Sequence, residues 1–183
     1  MTDAAQLAVQ GTVSREERIR LLVDDHHDRI WRTLRRLGVP TADVDDATQQ
    51  VFIVLDRKLW RVCPGSELPF LFRTAVKVAS EFRRARSRRR LDPEGLDKVE
   101  TPEPSGNPEE LLALRRERER LDRILDAMPP ELRAVFVLFE LDGLTMAEIA
   151  EATGLRPGTV ASRIRRARTT FSARVRSSQA EVK

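Results

Sequence analysis

The sequence predicts an all-α fold: two small helical domains, a helical bundle and a helix-turn-helix, joined by a flexible linker. Three observations predict it. Apolar residues recur at the helical period along the chain, and no segment alternates as a half-buried strand would. The 17 residues Asp92–Pro108, DPEGLDKVETPEPSGNP, break that period with Pro, Gly and acids, a composition that cannot bury enough apolar surface to order itself. The stretch Leu144–Ala167, LTMAEIAEATGLRPGTVASRIRRA, carries start and stop signals for two short helices around a tight turn. The expected boundaries are an N-terminal tail over 1–14, a first domain over 15–90, the linker over 91–108, a second domain over 109–176 and a C-terminal tail over 177–183.

Each element follows from local signals. Ser14 with Glu17 marks a helix start, and Ile19, Leu22, Val23, His26, Ile30 and Leu34 follow at helical spacing until Gly38-Val39-Pro40 stops it. Thr41 is expected to cap a second helix, whose first turn holds Asp43, Asp45 and Asp46 where the helix dipole favours acids. Its apolar stripe is Val44, Ala47, Val51, Val54 and Leu55. Arg61–Pro69, with Cys63-Pro64-Gly65-Ser66, reads as a loop, and Phe70–Arg90 as a third helix burying Leu71, Ala75, Val78 and Phe82. Past the linker, Pro108 opens a helix with Leu111, Leu114, Leu121 and Leu125 inward. Met128-Pro129-Pro130-Glu131 breaks the chain and starts another, with Leu132, Val135, Phe136 and Phe139 as its core. Asp142-Gly143 ends it. Thr145 and Glu148 then form a capping box, Gly154 supplies a left-handed stop, and Pro157 opens the last helix at a position whose N–H has no partner to lose.

Composition narrows the function classes. A single cysteine, Cys63, excludes an intramolecular disulfide framework and fits a reducing compartment. The start, MTDAAQLAVQGTVSREER, lacks the basic region and apolar core of a signal peptide. No apolar run approaches the roughly 20 residues that span a bilayer, so a cytoplasmic protein without membrane insertion is expected. Adjacent His26 and His27 point to different helix faces, and nothing completes a tetrahedral metal set. No phosphate loop, nucleophile elbow or paired-carboxylate pattern indicates catalysis. The expectation is therefore no enzyme, no cofactor and no metal. Net charge is only +4, but arginines gather at Arg83–Arg90 and Arg156–Arg176, and acids at Asp43–Asp46 and Glu94–Glu110.

The last helix sorts its residues by face. Val160, Ile164, Ala167 and Phe171 form one stripe; Thr159, Ser162, Arg163 and Arg166 share another. Arginine pairs bidentately with guanine, and hydroxyls suit phosphates or base edges, so this second face is the candidate DNA reader. Arg156, Arg165 and Arg168 flank it as candidate phosphate contacts. Extended, the linker reaches at most ~60 Å, between one and two duplex turns of about 34 Å. Two basic domains can thus touch separate sites on one DNA. Most isolated helix-turn-helix modules belong to dimeric regulators, which is the alternative reading; a nuclease or helicase accessory is a more distant one.

The segments DVDDATQQVF (Asp43–Phe52) and FLFRTAVKVASEFRR (Phe70–Arg84) resemble region 2 of the sigma-70 family of bacterial RNA polymerase sigma factors. Met128–Arg168, beginning MPPELRAVFVLFELDGLTMAEIA, resembles region 4 of the same family. The match is to the compact extracytoplasmic-function (ECF) group, which keeps only these two regions. The resemblance implies a specificity subunit that binds core RNA polymerase, on the β′ clamp helices and the β flap, and brings it to promoter DNA. It implies a polymerase-binding face at Asp45, Asp46, Gln49, Gln50 and Phe52. It implies a −10 surface at Phe70, Phe72, Arg73, Lys77, Arg83 and Arg84, with Arg86 beside them, and core packing as the alternative for either phenylalanine. Trp31 and Trp60 are expected to be packing residues. It implies a −35 surface at Arg156, Thr159, Ser162, Arg163, Arg165 and Arg166, and an inhibitory anti-sigma partner. Ala47, Gln50, Phe70, Lys77 and Ala161 depart from the family's usual residues.

Overall fold

The computed structural model describes residues 14–89 and 108–180. Among them the fold is all-α, with seven α-helices and no strand. Most of the expected linker and both extreme tails lie outside the described residues.

The first unit is α1 (Arg15–Arg36), α2 (Val44–Lys58) and α3 (Glu67–Arg89). Ser14 caps α1 by accepting from the Glu17 amide at 3.1 Å, and Ile30 and Leu34 are fully buried one turn apart. Thr41 does not cap α2. Residues Thr41–Asp43 form a 3-10 turn that leads into Val44, and its i→i+3 bonds, such as Asp43 N–H to Pro40 at 3.0 Å, satisfy the amides without a side chain. Val44, Ala47, Val51 and Leu55 are fully buried as the α2 stripe. The third helix begins three residues before its expected start: α3 opens at Glu67 and takes Pro69 into its first turn, where a missing N–H breaks no bond. The loop it follows therefore shortens to residues 62–66.

The second unit is α4 (Pro108–Asp126), α5 (Pro130–Phe136), α6 (Met146–Thr153) and α7 (Pro157–Ala180). Leu125 of α4 is buried, but Leu114 is 52% exposed, contrary to the inward position expected of it; the α4 N-terminal turns extend past the helices that would cover them. The Leu111 side chain lies outside the described residues. α5 runs on into one turn of π-helix, Val137–Leu141. α7 packs back on α5, with Phe171 stacked on Phe136 at 4.5 Å between ring centres.

The two units share one continuous apolar core rather than standing apart. α3 packs on α6, and the end of α1 meets α4 and the π-helical turn. Sequence periodicity shows that each helix has a face to bury, not which distant helix will cover it, so this seat is a finding of the structure.

Candidate nucleic-acid and polymerase interfaces

The helix-turn-helix is built from local signals. The Thr145 hydroxyl accepts from the Glu148 amide at 3.3 Å, and the Glu148 carboxylate accepts from the Thr145 amide at 2.8 Å and hydroxyl at 2.7 Å. The Thr145 hydroxyl, then its backbone amide, hold Glu148 below the usual glutamate range. Gly154 ends α6 at φ 71°. Val160, Ile164 and Ala167 face inward. Arg156, Ser162, Arg165 and Arg166 are exposed, with Thr159 and Arg163 half-buried among them. Ser162 bonds back to the Thr159 carbonyl at 2.9 Å, holding that hydroxyl against the helix. Arg168 is tied down instead: Nε donates to Glu140 at 2.6 Å and the guanidinium lies over Phe139. It fastens α7 to the π-helical turn.

On α2, Asp45, Asp46, Gln49 and Gln50 are exposed on one face. Asp45 accepts from the Trp31 indole at 2.7 Å, which joins α1 to α2 at the edge of that face. Phe52 corrects the expectation: it is only 9% exposed and stacks on His27, so it supports the face from behind. Ile53, 41% exposed, stands one turn beyond Gln49. The stripe at 44, 47, 51 and 55 leaves position 53 outward, a signal the sequence does carry.

On α3, Phe70 is half-buried with the Arg73 guanidinium 5.2 Å from its ring centre, and Arg73, Lys77 and Arg84 are exposed. Phe72 is 2% exposed and sits under Arg29, which makes it core and removes it from any stacking surface. Arg83 is also withdrawn. It donates to the Leu37 carbonyl at the end of α1, and burial, then the neighbouring Arg133 charge, pull it below the usual arginine range. The Arg86 side chain lies outside the described residues. Trp60 departs furthest from expectation: it is 76% exposed, in the 3-10 turn Leu59–Arg61.

A cleft of about 440 Å³ separates this surface from the second unit. Lys58, Arg61, Ser66, Phe70 and Arg73 line it from one side, Glu148 and Glu151 of α6 from the other. Arg73 pairs with Glu151 at 3.4 Å.

Two further contacts hold the units in this pose. Arg133 on α5, 6% exposed, donates to the carbonyls of Arg35 and Arg36 in the last turn of α1 and pairs with Asp126 at 2.7 Å. A Cβ at Gly38, where φ is 98°, would come within 2.9 Å of the same guanidinium. Asp142, 8% exposed, lies 3.0 and 3.1 Å from the Thr33 hydroxyl, while Arg29 donates to its backbone carbonyl at 2.6 Å. Burial pushes the Asp142 carboxyl up to about 6, against the Thr33 hydrogen bond and the charges of Arg36, Arg29 and Arg32. The Thr33 hydroxyl is also 2.9 Å from the Arg29 carbonyl and has one proton to give. With Asp142 protonated, its O–H donates to Thr33 and Thr33 donates to Arg29.

The family described as Sigma-70, region 4 matches residues 118–171. The chain is 37% identical over 149 residues to the ECF RNA polymerase sigma factor SigE of Mycolicibacterium smegmatis, an alignment that takes in 80% of the chain and 57% of that longer relative. It is 33% identical over 156 residues to the ECF RNA polymerase sigma-E factor of Escherichia coli, covering 81% of each. Among solved structures, CnrH in complex with the cytosolic domain of CnrY is similar with a TM-score of 0.65 at 24% identity, over 94% of both chains. The sigma factor RpoE in complex with the anti-sigma factor NepR from Bartonella quintana gives 0.68 at 17% identity, over 87% of this chain and 98% of that one. At those identities the two structures bear on fold alone.

Proposed function

The chain belongs to the extracytoplasmic-function group of the sigma-70 family, RNA polymerase sigma factors, and on that premise we propose that it directs core polymerase to promoters through two DNA contacts. Region 4 reads the −35 element with Arg156, Thr159, Ser162, Arg163, Arg165 and Arg166. Region 2 takes the −10 element on Phe70, Arg73, Lys77 and Arg84 and assists its melting. Asp45, Asp46, Gln49 and Gln50 face the polymerase β′ clamp helices, region 4 meets the β flap, and the work is done in the cytoplasm. As a sigma factor it is an initiation factor, and the polymerase supplies catalysis. The observation that carries the −35 assignment is the sorting of α7: Val160, Ile164 and Ala167 are inside, and a run of cations with no acid from Arg156 to Arg176 is left for DNA.

The described pose is the state away from DNA. Glu151 pairs with Arg73 and α6 stands across the cleft from Phe70, so α6 moves aside before that strand enters. An anti-sigma partner that holds the two units together fits this geometry, and the similar sigma factor solved in complex with the anti-sigma factor NepR supports the expectation.

Transcription with purified core polymerase tests the whole reading: the chain directs transcripts from fragments it occupies in cells, and absence of any such transcript refutes it. Within that assay Arg163→Ala weakens −35 recognition by about 1–3 kcal/mol, the loss of one base contact. Equal weakening on scrambled DNA would reassign Arg163 to phosphate.

A further inference from the structure

We infer that Glu140 and Arg168 together position α7, setting the angle at which Arg163 and Arg166 meet base edges. The inference rests on the proposed −35 surface and adds two residues that do not touch DNA. Arg168 donates from Nε to the Glu140 carboxylate at 2.6 Å, and its guanidinium lies 5.3 Å from the Phe139 ring centre. Glu140 belongs to the π-helical turn Val137–Leu141 that follows α5. The pair lies one turn away from the Phe136–Phe171 stack, further on along the α5 side and further back along α7. The two elements therefore run in opposite directions, with the stack and the ion pair as successive rungs between them.

The place of Arg168 on α7 shows what the clasp does. At about 100° per residue, Arg163 and Arg168 stand roughly 70° to either side of the buried stripe Val160, Ile164 and Ala167. Arg166 lies further round on the Arg163 side. One flank of the stripe is thus left for DNA, and the other is tied to the π-helical turn. Burial of the stripe is non-directional: it fixes how deep α7 sits and leaves the roll about its own axis weakly defined. A charge-assisted hydrogen bond is short and directional, and on the flank opposite the reading face it fixes that roll. Both partners are partly open to water, the Glu140 side chain 30% and the Arg168 side chain 57% exposed. Ion pairs so placed add little to stability, so the clasp acts on geometry more than on folding. Beside Arg165 and Arg166 in the sequence, Arg168 reads as a phosphate contact; the structure commits its side chain to its own unit instead.

The test uses holoenzyme assembled from the full chain and core polymerase. The probes are duplexes carrying the −35 element of a promoter mapped by its transcripts, either intact or scrambled. Arg168→Ala and Glu140→Ala are each expected to weaken binding to the intact element by about 2- to 30-fold, the range for substitutions that modulate a site without touching its ligand. Binding to the scrambled duplex and the salt dependence of affinity stay as in the natural chain, and thermal unfolding of the free chain stays close to it. The double variant loses no more than either single one, since each removes the same clasp. A phosphate contact behaves differently: its loss weakens both duplexes alike and lowers the salt slope by about 0.9. That result for Arg168→Ala overturns the inference, and so does unchanged discrimination in Glu140→Ala. Equal weakening on both duplexes together with early unfolding makes the pair a general fold contact and overturns it too. Arg163→Ala separates the two readings. If it loses discrimination while the clasp variants keep theirs, the −35 surface stands and the clasp falls; if all three keep it, the surface falls as well.

Discussion

Replacing Arg133 with alanine loosens the seat between the two helical units and lowers stability by about 2–4 kcal/mol. The guanidinium is almost fully enclosed, donates to two carbonyls at the end of α1 and pairs with Asp126. Burial pulls Arg133 below the usual arginine range even though Asp126 supports its charge. Hydrogen bonds to charged groups contribute about 1.5–3 kcal/mol each, and cutting one partner from a buried pair costs about 3–5 kcal/mol. Asp126 is half exposed and rehydrates when released, which keeps the loss below the sum. Arg133→Met separates the components: it keeps the apolar stem that packs in the seat and removes the charge together with its hydrogen-bond donors. Hydrogen exchange locates the effect, because protection falls at the end of α1 and in α5 before it falls in the centre of α2. With the seat loosened, Glu151 leaves Arg73 more often and single-stranded DNA binds the −10 surface more tightly. Unchanged exchange and unchanged DNA affinity in Arg133→Ala would show that the units do not rest on each other in solution.

What was legible in the sequence was local. The Thr145–Glu148 box, Gly154 and Pro157 each act within one turn, and the helix-turn-helix they frame is where the sequence places it. The inward stripe of α7 and the exposed arginines opposite it follow from a single period. Contacts that depend on a distant element were not legible. Phe52 and Phe72 have the composition of surface aromatics, but His27 and Arg29 on α1 cover them. Arg83 lies in a basic run that reads as a DNA contact until the free carbonyl of Leu37 appears beside it. Arg133 had a faint signal: it is a charge set in the otherwise apolar series Leu132, Val135 and Phe136, and such a charge needs a polar partner from elsewhere. The start of α3 differs from expectation because Pro69 reads as a loop residue, although a proline in a first helical turn is equally at ease.

Asp142 makes the same seat sensitive to pH. Its carboxyl is pushed up to about 6 in the folded chain by burial, from an ordinary value near 3.8. A group whose folded pKa is raised stabilises the fold fully below its unfolded value and loses that contribution as pH rises through the folded one. Below about pH 4 Asp142 is protonated whether folded or not. Between about pH 4 and 6 the carboxyl ionises in the unfolded chain but keeps its proton in the folded one, and stability falls by about 2–3 kcal/mol, since each tenfold change in proton affinity is worth roughly 1.4 kcal/mol. The groups facing it are the Thr33 hydroxyl and the charges of Arg29, Arg32 and Arg36, which temper the rise without abolishing it. Asp142→Asn removes the titration and keeps the hydrogen bonds, since an amide N–H donates to Thr33 as the protonated acid does. The difference in unfolding free energy between Asp142→Asn and the natural chain is therefore near zero at pH 4 and grows to about 2–3 kcal/mol in favour of the variant by pH 7.5. Parallel curves across that range would show that the carboxyl does not titrate in the seat. The variant also binds promoter single strands more weakly at pH 7.5, because a seat without an ionised acid opens less often. An aspartate at this position thus keeps the closed pose weak at neutral pH, and on the proposed reading that lets α6 move aside when promoter DNA reaches α3.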